Sequence, residues 1–125
     1  MSPRPVVVVD GANVVGSRPD GWWKDRAGAA RRLHESLLVA DLGELVVLVL
    51  EGQAKAGVRA GRDADVRVVH ARGDGDEAIV AEVRRLRDAG DRVTVVTADR
   101  MLRARVEQLG AVTAGPSWLF GELEG

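Results

Sequence analysis

Four consecutive valines, Val6, Val7, Val8 and Val9, stop abruptly on Asp10 and are followed by Gly11, Ala12 and Asn13. An unbroken β-branched run with no polar alternation suits a strand buried on both faces, and such strands belong to parallel sheets covered by helices. In open sheets of that kind ligands bind outside the carboxyl ends of the strands, which is where Asp10 would stand. The run therefore predicts an α/β fold with an acid at its functional edge. A hairpin is the competing reading, because Asp10-Gly11 between two apolar arms could form a type I′ turn joining residues 6–9 to residues 12–15. Neither arm alternates polar with apolar, and helical spacing follows, so the buried strand is preferred.

Further apolar runs at residues 45–50, 66–69 and 93–96, and a weaker one at 111–113, read as strands. Helical patterns separate them. Ala30, Leu33, Leu37 and Leu38 recur at helical spacing within residues 23–40, Ile79, Val80, Val83 and Leu86 within 76–89, and Leu102, Val106 and Leu109 within 99–109. Gly90 and Gly110 are stop signals for the last two. A short helix at 53–61 is a weaker expectation, since it holds internal glycines. Alternating strand and helix predicts βαβ units around a mostly parallel sheet of four to five strands, covered on both faces. The tail carrying Trp118 and Phe120 is expected to fold its aromatics back on the body.

The 125 residues fit a single domain, 1–125, long enough to bury roughly two-thirds of its unfolded surface. No cysteine is present, which excludes thiolate catalysis and Cys-based zinc sites. The stretch from Met1 to Pro5 does not resemble a signal n-region, and no apolar run spans a bilayer, so a cytoplasmic chain without membrane association is expected. Eighteen basic residues nearly balance nineteen acidic ones, for a formal net charge of -1, so any nucleic-acid contact must come from local clustering. Arginines do cluster, at Arg31-Arg32, Arg84-Arg85-Arg87 and Arg100-Arg103-Arg105.

Parallel topology collects the residues after each strand along one edge. Asp10 follows the first run, Asp74-Gly75-Asp76-Glu77 opens the helix after the third, and Asp99 follows the fourth. Each could simply cap a helix or shape a turn. Three at one edge are another matter, because neighbouring carboxylates repel unless a cation neutralises them. Oxygen donors without His or Cys favour Mg2+ or Mn2+ over Zn2+. Such an ion polarises a phosphate oxygen and activates a water for in-line attack, which is phosphodiester chemistry without a covalent nucleophile. Asn13 would hold Asp10 or a metal-bound water, and Thr97 would be an accessory hydroxyl. His34 reads as structural or exposed; His70, at the end of the third run, lies nearer the supposed site.

These segments resemble an NYN domain of the PIN-like nuclease superfamily, closest to its bacterial YacP-type branch. The matching pieces are the valine run through Asp10, Gly11 and Asn13, then Gly75-Asp76-Glu77 with Ile79, then Thr97, Asp99 and Arg100, and together they cover nearly the whole chain. The resemblance implies a three-layer α/β/α fold and an Mg2+- or Mn2+-dependent ribonuclease whose metal is held by Asp10, Asp76 and Asp99, with Asn13 beside them. It also shows a departure. Many PIN-like nucleases carry an acid two residues after the position of Asp99, and here Met101 stands there, so Glu77 or Asp74 would have to substitute.

RNA would be held by Lys24, Arg26 and Arg100 on its phosphates and by Trp22 stacking on a base, against the plainer reading that Trp22 and Trp23 staple the first helix to the core. The main alternative to a nuclease is a non-catalytic RNA- or protein-binding module of the same fold. A phosphatase-like hydrolase is a third reading, but a haloacid-dehalogenase motif would want an Asp where Ala12 stands. No glycine-rich phosphate loop is present, so a nucleotide cofactor is not expected.

Overall fold

The valine run becomes the middle of the molecule. In the computed structural model, which describes residues 3–125, it lies in β1 (Pro5–Asp10). Met1 and Ser2, the start of the N-terminal stretch considered above, lie outside the described residues. The chain continues through α1 (Gly11–Gly16), a 3-10 turn (Trp22–Lys24), α2 (Arg26–Ala40), β2 (Leu45–Leu50) and a second 3-10 segment (Gly52–Gly57). Next come β3 (Gly61–Asp63), β4 (Val66–His70), α3 (Gly75–Asp88), β5 (Arg92–Val96), α4 (Arg100–Gln108), β6 (Val112–Ala114) and α5 (Pro116–Glu124).

The sheet has six strands in the order β3-β4-β2-β1-β5-β6, with β1 paired in parallel to β2 on one side and to β5 on the other. Period-two alternation splits the valines between two cores. Val6 and Val8 join Val47, Val49, Val93 and Val95 under Ile79, Val83, Leu86, Leu102 and Val106 of α3 and α4. Val7 and Val9 join Leu48 and Leu50 against Val14, Ala30, Leu33, Leu37 and Leu119 of α1, α2 and α5. The result is the expected three-layer α/β/α fold with a mostly parallel central sheet. Asp10, two residues beyond Val8, continues the row that faces α3 and α4. Among the described residues no helix is long and apolar enough to cross a membrane.

Four expectations are corrected. The sheet has six strands rather than four to five, because β3 adds antiparallel to β4. That strand carries no apolar signal: its three residues are exposed, and a left-handed Ala64 (φ 51°) turns the chain into β4. The helix expected over residues 53–61 is a 3-10 segment ending at Gly57, where the chain passes so close to α2 that a Cβ on Gly57 would meet the Ala27 carbonyl oxygen at 1.9 Å. The hairpin reading fails, since Gly11 opens a helix capped by the Asp10 side chain. The tail folds back as α5, burying Leu119 and packing Phe120, but Trp118 stays 42% exposed.

Candidate active site

The chain crosses the sheet in both directions from β1, to β2 through α1 and α2 on one face and from β4 to β5 through α3 on the other. Sheets reverse their winding at such a point, and the crevice outside the strand ends is where ligands enter. Asp10 ends β1 there, and Thr97 follows β5 on the adjacent strand.

Asp10 is 6% exposed and both its oxygens are engaged. Thr97 Oγ1 donates to Oδ2 at 2.9 Å, and the Asn13 backbone N–H donates to Oδ1 at 3.3 Å. Burial pushes the Asp10 carboxyl above its ordinary range; the Thr97 and Asn13 hydrogen bonds oppose this, and the charges of Glu51 and Asp99 add to it. The same Thr97 oxygen accepts from the Asp99 N–H at 3.2 Å, so one hydroxyl joins two acids. Asp99 caps α4, its Oδ1 accepting from the Leu102 N–H at 3.0 Å. The Asn13 side chain turns away from Asp10: its Oδ1 accepts from the Ala98 N–H at 2.8 Å, strutting α1 against the segment between β5 and α4.

Asp76, in the first turn of α3, faces the same crevice. Its carboxyl is pushed up to about 6 from 3.8, first by burial and then by the charges of Asp74, Asp10, Asp99 and Glu51. Asp10, Asp76 and Asp99 therefore share one electrostatic site. Glu51 is absent from the sequence candidates, although it follows the second apolar run as directly as Asp10 follows the first. Its Oε2 accepts from the Gly75 N–H at 3.0 Å and ties the start of α3 to the end of β2.

The other candidates have partners or positions of their own. Asp74 caps α3 through the Asp76 N–H at 2.8 Å. Glu77 is exposed and paired with Arg105 at 2.9 Å, which lowers its carboxyl. Arg100 is exposed beside Asp99, Lys24 is exposed on the 3-10 turn, and Met101 is 80% exposed. His70 Nε2 meets the Val58 carbonyl oxygen at 2.7 Å, a structural tie. Trp22 is half-buried with the Arg26 guanidinium 4.9 Å from its ring centroid, while Trp23 is 55% exposed rather than stapled to the core. Trp22 and Arg26 line a cavity of about 360 Å³ that also borders Gly11 and Glu51.

Among the described residues no three His, Asp or Glu side chains form a group that could by itself hold a metal ion. Asp10, Asp99, Asp74 and Glu51 each turn an oxygen toward a protein donor. Repelling oxygen donors still fit a hard cation of the kind that keeps several waters and takes only one or two carboxylates.

No family model matches the sequence, and neither does any curated protein. Among solved structures the chain is similar to Rae1 (YacP) from Bacillus subtilis, with a TM-score of 0.75 at 20% identity over 99% of this chain and 74% of that one. It is likewise similar to a tryptophan-to-leucine mutant of that protein, with a TM-score of 0.73 at 20% identity over 96% of this chain and 75% of that one. What the likeness shows is the architecture: the chain has the fold of Rae1 (YacP).

Proposed function

We propose that this chain is a metal-dependent ribonuclease, working in the cytoplasm, that hydrolyses RNA phosphodiester bonds at the crevice beside Asp10. The observation that carries the reading is the convergence of Asp10, Asp76, Asp99 and Glu51 at the carboxyl ends of the central strands, where burial first and then the charges of Asp74, Asp10, Asp99 and Glu51 raise Asp76 to about 6. Uncompensated acids are costly, and sites that keep them have a use for the charge. Asp10 with Asp76 or Asp99 would hold a hydrated Mg2+ or Mn2+, which when bound supplies a polarised phosphate oxygen and an activated water. Thr97 fixes the Asp10 carboxylate and the Asp99 backbone together, and Asn13 keeps α1 and the Ala98 segment in register. Arg100 and Lys24 supply exposed cations for the RNA phosphates, and Trp22 with Arg26 a stacking surface.

A non-catalytic RNA- or protein-binding module is the second reading. Exposed Met101, where many PIN-like nucleases carry an acid, favours it. The two are separated by incubating the protein with single-stranded and hairpin RNA in Mg2+, Mn2+ or EDTA, beside Asp10→Asn and Asp99→Asn. Cleavage lost in EDTA and in both variants is the expected result. Persistent cleavage in EDTA sinks the metal-carboxylate mechanism, and tight binding without cleavage establishes the module.

A further inference from the structure

The cavity beside Trp22 is open to solvent yet built. Its volume of about 360 Å³ falls within the ~300–1,000 Å³ of small-ligand sites. The indole is held before any ligand arrives. One edge lies against α1, where a Cβ on Gly16 would stand 3.6 Å from Cζ2; Trp23 meets it edge-on at 6.1 Å between centroids, and the Arg26 guanidinium covers part of its face. Aromatic rings and guanidinium planes are the surfaces on which unpaired bases stack. Leu50, Ala12 and Val15 give the remaining apolar lining, while Glu51 and Gln53 are the polar residues that line it. A carboxylate at the wall disfavours a phosphate in this space and favours a neutral group carrying N–H donors. Position matters as much as chemistry. The cavity borders Gly11, which is bonded to Asp10, and Glu51, whose charge reaches both Asp10 and Asp76.

We propose that this cavity is a nucleobase subsite: it takes one unpaired base of a single-stranded RNA, stacked on the Trp22–Arg26 pair, next to the phosphate that sits at the acid cluster. The proposal rests on the ribonuclease reading for the identity of that phosphate, but base binding is measurable without cleavage. A paired base cannot enter, so the subsite makes single-strandedness at one nucleotide a requirement for binding. Gln53, with a donor and an acceptor on one amide, is the residue placed to sense the base edge.

The test uses Asp10→Asn protein in EDTA and a short single-stranded RNA in which an abasic residue is moved along the chain one position at a time. One position should weaken binding roughly 5- to 100-fold, the usual effect of losing a base–aromatic stack. Trp22→Ala should show the same loss with intact RNA and no further loss with the abasic one, and Trp22→Phe should recover most of it. A 2-aminopurine at the sensitive position should be quenched on binding. Equal affinity for every abasic RNA, equal affinity for a fully paired duplex, or no binding of single-stranded RNA at all overturns the subsite. Should Trp22→Ala not fold, Trp22→Phe, Arg26→Ala and the abasic series on otherwise unchanged protein still decide the matter. If wild-type protein cleaves but ignores base identity and pairing, only the subsite fails; if base-dependent binding is found without cleavage in Mg2+ or Mn2+, only the nuclease reading fails.

Discussion

A single hydroxyl organises the centre of the site. Thr97 is fully buried, donates to Asp10 and accepts from the Asp99 backbone, so Thr97→Val keeps the shape and removes both bonds. Hydrogen bonds to charged groups contribute about 1.5–3 kcal/mol, and a loss of that order is expected in urea denaturation at pH 8. The loss should shrink as pH falls and Asp10 takes up a proton. Asp76 gives the opposite sign. Its folded pKa of about 6 lies above its ordinary 3.8, so the folded chain holds that proton more tightly than the unfolded one, and stability contributed by Asp76 falls as pH rises through that window. In EDTA, Asp76→Asn should therefore be more stable than wild type at pH 8 and no different below pH ~4 by the same linkage, and in Mg2+ or Mn2+ it should lose cleavage. An increase that persists at low pH would mean that burial and neighbouring charges are not its cause. Asp10, Asp76 and Asp99 were legible as residues because each follows or closely trails an apolar run. Thr97 was legible only as an accessory, since a spacing of two from Asp99 does not reveal that its oxygen reaches across to another strand.

Elements set the site through close contacts that sequence patterns do not carry. Gly11 is needed for proximity rather than for an unusual φ: a Cβ there would stand 2.6 Å from the Val49 carbonyl oxygen and 2.8 Å from Leu50 Cδ2. Gly11→Ala should cost about 1–3 kcal/mol, as overpacked cores do, and should lower activity by moving Asp10. Glu51 binds β2 to α3 by accepting from Gly75, so Glu51→Gln, which keeps an acceptor and drops the charge, should lower the Asp76 pKa while leaving the Gly75 amide protected from exchange. A rise in that pKa would contradict the shared electrostatic site. The amphipathic stripes of α3 and α4 were readable because every position in them touches one core. Neither α1 nor β3 was. The first is a six-residue helix hidden behind a turn-like Asp-Gly pair, and the second is held by backbone pairing to β4 with all three of its residues exposed.

For the whole molecule, a net charge of -1 leaves nucleic-acid affinity to a local patch. With Lys24 and Arg100 as the phosphate contacts, single-stranded binding should weaken with salt at a log–log slope of about −1.4, from roughly 0.7 per phosphate neutralised. A slope near zero would remove these residues from the interface, and a much steeper one would bring in the arginines of α3 and α4. The parallel core and its two helical layers were predictable from the runs alone, whereas the pairing of Trp22 with Arg26 over a cavity depends on how a 3-10 turn hangs from α1. That difference in support has a consequence in time. Asp10 belongs to a strand hydrogen-bonded on both sides, whose amides are expected to exchange only when the entire chain unfolds. Trp22 sits on a three-residue turn at the surface, where opening needs only a few bonds to part. On warming, such a molecule would first lose its grip on a base and only later the acids that act on the phosphate.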